Sequence, residues 1–470
     1  MVEAPITTKD LAPFRLGACG AVKRRTQAPS GCRAQTPQTR RPGPQRSRLS
    51  PPGFLPGLIL TATLLGTALG SEPIAAGDAE RNASPNAGAV EAVGPVERLQ
   101  QRLQRGETRL RYDRKLGYLP FLLEELKISP SSQTLVFSKT SHQRERISPL
   151  TPRAVFFSDQ VYVAWIPDSP VVEISCVDPE RGAAFYTLDQ REGEARSPRF
   201  VRCDRCLECH TSANNLGVPG YLVRSVATDE TGVVDMNGGI SIVNHRTPVS
   251  QRWGGWYVSG APGSPVQPGH LAGLTIPGRP SGRLDDTGEL ADLPPWFDAS
   301  RYPQPSSDKV ALLVLEHQCY MQTLISRLHD DSDRAIAGGR DIQSLKPLAD
   351  QVLKYLLFAD EAPLDGPARG GSEFATWFEN QGPRDHRGRS LRQFDLKTRL
   401  FKYPCSYLVY SESFDHLPRP MKLHLYRRLR RILAGDDPDP AFGRIPPETR
   451  TAISEILIDT QPGLPLYWTL

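Results

Sequence analysis

The chain carries none of the short signatures that mark the common enzyme classes. There is no G-x-S-x-G elbow, no H-E-x-x-H helix, no P-loop and no G-x-G-x-x-G dinucleotide turn. Hydrolysis by a nucleophilic serine, zinc proteolysis, and nucleotide chemistry of the usual kinds therefore have no support. Long apolar runs are also missing. Phe54 to Leu69 is the stretch that comes nearest, but it is shorter than the roughly 20 residues needed to cross a bilayer and contains Pro56 and Gly57. A basic excess is absent once residues 1–70 are set aside. Those hold ten Lys/Arg and two Asp/Glu, which leaves 47 basic against 50 acidic side chains in the remainder. The formal charge of +5 is thus N-terminal, and nothing beyond it invites nucleic acid. No repeat of solenoid period is present.

What the first 70 residues do have is the pattern of an export signal. Arg46 and Arg48 precede the apolar run, and Ala68-Leu69-Gly70 before Ser71 supplies the small residues of a cleavage site. Residues 1–48 form a long Arg/Pro/Gln-rich extension ahead of it. The expectation is an exported, periplasmic protein with no membrane span after signal cleavage; an uncleaved signal would anchor it instead. Six of the eight cysteines then reach an oxidising compartment: Cys176, Cys203, Cys206, Cys209, Cys319 and Cys405.

The chain divides by pattern. Residues 71–97 are small and polar and read as a linker. Residues 98–150 form a helical and strand lead-in. From Thr134 to Leu188, β-branched and aromatic runs such as "VYVAWI" and "VVEISCV" are separated by Pro, Asp and Gly, which predicts strands. The pattern resumes in "GYLVRSVA", "GGISIV" and "GWYVSG", giving a strand-rich domain over 151–261. Residues 262–307 are a Pro/Gly-rich connector. Over 308–470 the apolar period turns helical, with Val310, Leu313, Val314, His317, Met321, Leu324 and Leu328 on one face. The expected class is α+β: a strand-rich middle, then a mainly helical C-terminal region.

Inside the strand-rich domain stands "VRCDRCLECHTSANN". Cys206-Leu207-Glu208-Cys209-His210 is C-x-x-C-H, the attachment signature of c-type haem. Sulfurs three residues apart share one face of a helical turn and can reach one porphyrin edge. The imidazole that follows is placed to bind iron as proximal ligand. A zinc site fits poorly, because adjacent Cys209 and His210 can hardly serve one tetrahedral ion. An iron–sulfur run would want a fourth cysteine where Ala213 stands. One haem c is expected, bonded to Cys206 and Cys209, with His210 on the iron. Cys203 is surplus. With Cys176, Cys319 and Cys405 it leaves four thiols and three possible disulfide pairings.

A second axial ligand is harder to read. Met raises the potential, His lowers it, and a vacancy allows gas or peroxide chemistry. His317 and Met321 share a helix face, and His245 lies near the motif in sequence; these are the distal candidates, with Met236 and His270 weaker. Arg246 and Arg252 suit haem propionates, and Trp253, Trp256 and Tyr257 suit a flat macrocycle. A helix with Arg427, Arg428, Arg430 and Arg431 could meet an acidic redox partner, although a solvated helix face explains it as simply.

On "QTLVFSKTS", "SPLTPRAVFFSDQVYVAW", "FYTLDQ", "CLECH", "HRTPVSQRWGGWYVSG", "KYPCSYLVYS" and "PGLPLYW", the chain resembles a group of uncharacterised exported bacterial proteins with a mono-haem c-type cytochrome domain. The likeness runs from about Gln133 to Trp468 and implies haem at Cys206, Cys209 and His210. A haem motif between strands also looks like the exported sensor domains of PAS-like fold. The leading expectation is a periplasmic cytochrome that passes single electrons to an unidentified redox partner protein. The alternatives are a haem oxidoreductase of peroxidase-like type with an open sixth site, or a haem-based sensory or binding module.

Overall fold

The computed structural model describes residues 94–191, 198–237, 240–259, 297–364 and 373–469. The expected signal segment, His270 and most of the linker and connector lie outside the described residues. The strands are β1 (Thr134–Val136), β2 (Arg153–Phe157), β3 (Val161–Trp165), β4 (Val171–Asp178), β5 (Gly182–Asp189), β6 (Phe200–Arg202), β7 (Val223–Val226), β8 (Ile240–Val243) and β9 (Trp256–Tyr257). Seven of them form one antiparallel sheet in the order β6-β5-β4-β3-β2-β1-β9, and β7 pairs with β8 apart from it. Sequence order is kept from β1 to β6, and short turns join each neighbour from β2 to β5. In the β4–β5 turn, Asp178 Oδ1 accepts from the N–H groups of Glu180 and Arg181 at 3.0 and 2.8 Å.

Alternation along the strands gives the sheet two apolar faces. Val172, Ile174, Ala184, Tyr186 and Leu188 face one core, which α1 (Pro95–Gln104) and α2 (Leu119–Glu125) close with Val96, Leu99, Leu122 and Leu123. Helix α1 opens inside the stretch expected as linker. Phe297 and Tyr302, from the stretch expected as connector, also bury in this core. Val177, Ala183 and Phe185 point the other way, into a larger core shared with the C-terminal region. After α3 (Leu207–His210), that region comprises α4 (Lys309–Ala337), α5 (Lys346–Leu356), α6 (Glu373–Glu379), α7 (Glu412–Asp415), α8 (Arg419–Ala434) and α9 (Pro447–Thr460). The protein is thus α+β, as the residue patterns indicate, with a large antiparallel sheet and a helical C-terminal region. No described helix is long and apolar enough to cross a membrane.

Helix α4 is the spine. Asp308 caps it by accepting from the Ala311 N–H at 2.8 Å, a contact of the kind that contributes about 1 kcal/mol. It is buried almost all round, polar side chains included. Gln318 Nε2 donates to Ser158 O (2.8 Å), and Gln322 Nε2 donates to Asp159 O (2.6 Å), so the β2–β3 turn is fastened to the helix. Glu316 Oε2 meets Arg252 Nη1 at 2.9 Å with neither side chain exposed, while Trp253 Nε1 donates to Glu316 Oε1 at 2.5 Å. Burial pushes the Glu316 carboxyl up to about 7, and the Arg252 guanidinium and both hydrogen bonds pull against that. Removing one partner of such a pair strands the other in a dry site. Arg252→Gln is therefore expected to cost about 3–5 kcal/mol, measured as a fall in the urea midpoint of unfolding. A loss below about 1 kcal/mol would mean that solvent reaches Glu316.

Candidate functional site

The cysteine run is held to the sheet before it turns. Cys203 N–H donates to Phe185 O on β5 at 2.9 Å. The chain then makes a 3₁₀ turn over Asp204–Cys206 and the single helical turn α3, so the C-x-x-C-H residues do share one turn. Cys206 is half-buried and Cys209 exposed. Burial and the neighbouring Cys203 thiol push Cys206 up to about 12. The described cysteines are all free thiols, and Cys176, Cys319 and Cys405 are buried.

His210 is fixed by a reciprocal pair of hydrogen bonds. Its Nδ1 lies 2.8 Å from Gly220 O, and the Gly220 N–H donates to His210 O at 2.9 Å. A carbonyl can only accept, so Nδ1 carries the proton and Nε2 keeps its lone pair. Burial lowers the imidazole below its ordinary range, which keeps it neutral at pH 7. Its ring packs on Phe185 with centroids 4.6 Å apart. Position 220 needs glycine: a Cβ there would sit 2.5 Å from Thr323 Oγ1 on α4. That hydroxyl accepts from the Tyr221 N–H at 3.1 Å, so the segment after the motif is clipped to the spine.

Cys206, Cys209 and His210 all border one cleft of about 370 Å³ between the sheet, β7 and α4, within the roughly 300–1,000 Å³ usual for small-molecule and cofactor sites. Its apolar wall includes Val155, Phe185, Tyr221, Val223, Trp256 and Leu315. Lys139, Arg144, Arg153 and Arg224 line it as well. Glu173 is the one carboxylate among the lining residues, and Arg153 Nη1 engages it at 3.0 Å. Cations therefore outnumber anions around an apolar slot, which suits a flat apolar ligand with carboxylate arms. Paired thiols, a neutral nitrogen with a free lone pair, and this wall fit a covalently held haem.

The proposed distal ligands are not with them. His245, His317 and Met321 do not line the cleft. His245 and His317 instead face each other, Nδ1 to Nδ1 at 2.9 Å, and His317 Nε2 meets Ser406 Oγ at 2.7 Å. Both are fully enclosed, with Tyr355 stacked on His245 at 3.8 Å. Met321 is core filler on α4. Met236 is exposed. Arg252 is committed to Glu316, and Arg246 lies over the Tyr355 ring at 5.1 Å. Trp256 does line the cleft, while Tyr257 buries in the opposite core. Sequence reading missed His142, an exposed residue at the cleft whose Nε2 is 3.4 Å from Arg205 O. It sits on an irregular turn after β1, with no periodic pattern to single it out. Arg428 on α8 is tied to Asp350 and Asp437, while Arg427, Arg430 and Arg431 are exposed on that helix.

A second cluster, Asp385, His386 and Asp459, brings possible metal-ligating atoms together at the surface. Asp385 is engaged by Arg389 at 2.6 Å, and Asp459 by His386 itself. No family model, curated protein or solved structure matches this chain.

The buried pair gives a pH signature. Desolvation pushes His317 down to about 3, and His245 is also well below its usual range, from burial first and then the His317 charge. The unfolded chain binds these protons below about pH 6.5 and the folded one does not. Their contribution to stability is therefore present above that pH and is lost as pH falls from 6.5 toward 3. Imidazole NMR signals of His245 and His317 should stay at their neutral positions at pH 5, where a free imidazole is charged. Charged-form shifts at that pH would show that water reaches the pair.

Proposed function

We propose that this chain is an exported c-type cytochrome that carries one haem and passes single electrons to a protein partner. The observation that carries the reading is the state of His210: Nδ1 is occupied by Gly220 O, and Nε2 is left free at a cleft that Cys206 and Cys209 also border. Cys206 and Cys209 would hold the group by thioether bonds, and His210 would ligate its iron. Bound there, a haem would supply one-electron chemistry at a potential that its axial ligands set. The chain's own part is to fix the imidazole tautomer, to keep water from one side with Phe185, Tyr221 and Trp256, and to neutralise carboxylates with Lys139, Arg144 and Arg224. The Gly220 carbonyl also makes the imidazole a better donor, as partners of metal-bound histidines do.

A second reading has a specific support. Among the described residues, none of His245, His317 and Met321 lines the cleft, which favours an open or exchangeable sixth position. That would suit a haem oxidoreductase of peroxidase-like type or a sensory module of PAS-like kind. Periplasmic localisation rests on the sequence pattern of the first 70 residues.

Protein co-expressed with haem-ligation machinery should be red, and should keep its pigment in acidified acetone. Replacing Cys206 and Cys209 together by Ser should release the pigment to that solvent, and a colourless wild type would end the proposal. A six-coordinate low-spin spectrum indifferent to CO supports electron transfer; a high-spin ferric form that binds CO once reduced supports the second reading. His317→Ala, His245→Ala and Met321→Leu are each expected to leave the haem spectrum unchanged, and His210→Ala to alter it. Gly220→Ala should weaken the His210 anchor and shift the same bands, with Thr323→Ala/Gly220→Ala restoring them in part.

A further inference from the structure

The haem reading uses two of three clustered thiols and leaves Cys203 unexplained. Its sulfur is not idle. The 3₁₀ turn, in which the Cys206 N–H donates to Cys203 O at 3.3 Å, brings Cys203 Sγ to 3.3 Å from Cys206 Sγ. That is contact distance, and Cys203 is held there because its own N–H is bonded to Phe185 O on β5. Cys206 thus belongs to two overlapping C-x-x-C pairs, Cys203/Cys206 and Cys206/Cys209, while its sulfur can form one new covalent bond. Cys176, Cys319 and Cys405 are buried free thiols and offer Cys203 no partner.

We propose that Cys203 and Cys206 are a modification site: in the haem-free protein they close a disulfide, and this bond competes with haem for the Cys206 sulfur. Closure removes two protons and two electrons from the pair. The acceptor is an external disulfide of the thiol-oxidase class, of the sort an oxidising compartment holds. One thiolate attacks it, a mixed disulfide forms, the second thiolate displaces the first bond, and the oxidant leaves as two thiols. Haem can be attached at Cys206 only after that disulfide is reduced. The disulfide stands independently of the haem reading, and the competition rests on it.

The sequence supplies its own assay. Arg205 lies between the two cysteines, so trypsin separates them. Haem-free protein is equilibrated with oxidised glutathione, alkylated, unfolded and digested. A Cys203–Cys206 bond joins two tryptic peptides that reductant splits, and the joined pair should persist in Cys209→Ser. A Cys206–Cys209 bond would stay within one peptide; that result, or full alkylation of the three thiols, overturns the proposal and leaves the haem reading untouched. In the second arm, wild-type protein should require reductant for haem attachment, whereas Cys203→Ser should load several-fold faster without it. Equal dependence on reductant in the two proteins overturns the competition. If neither protein takes haem with reductant present, while wild type gave joined peptides in the first arm, the haem reading fails and the competition with it, and the disulfide is supported.

Discussion

The two hydrogen bonds between His210 and Gly220 are the constraint on which the site depends. They settle three things at once: which nitrogen is protonated, where the ring points, and how the chain leaves the motif. An imidazole that is neutral, oriented and already a donor through its far side needs little reorganisation to bind a metal. The glycine is required because α4 stands too close for any side chain. The site is therefore built from sheet and spine together rather than from the short motif alone.

Much of the fold was legible in the residues. The strands announced themselves through β-branched and aromatic runs divided by turn residues, and α4 through its apolar period. The C-x-x-C-H residues were legible as a unit, and the structure sets them at one helical turn beside one cleft. The placement of the expected second ligands was not legible. His317 sits on an apolar face, as a ligand would, but so does any histidine that fills a core with its hydrogen bonds satisfied. The structure gives it His245 and Ser406 instead. Arg246 and Arg252 misled for a related reason: sequence proximity to the motif says nothing about which face of the molecule an arginine reaches. The cleft cations, Lys139, Arg144, Arg153 and Arg224, come from β1–β2, β2 and β7 and converge only once the sheet forms.

Burial of polar groups along α4 shows where specificity is stored. Glu316 is bonded to Arg252, His317 to Ser406, and Gln318 and Gln322 together to the β2–β3 turn, so three separate segments hold the helix. Such bonds add little net stability apiece, but each is costly to leave unmade. They select one rotation and one depth for the helix among the many that greasy packing alone would tolerate.

That selection has a mechanical outcome. Leu315 and Cys319 form part of the cleft wall, while the neighbouring Glu316 and His317 are locked into the interior on other sides of the same rod. The rod can neither roll nor retreat to admit an oversized guest. Any give in the pocket must come from its opposite jaw, the irregular segment around Ser141, His142 and Arg144.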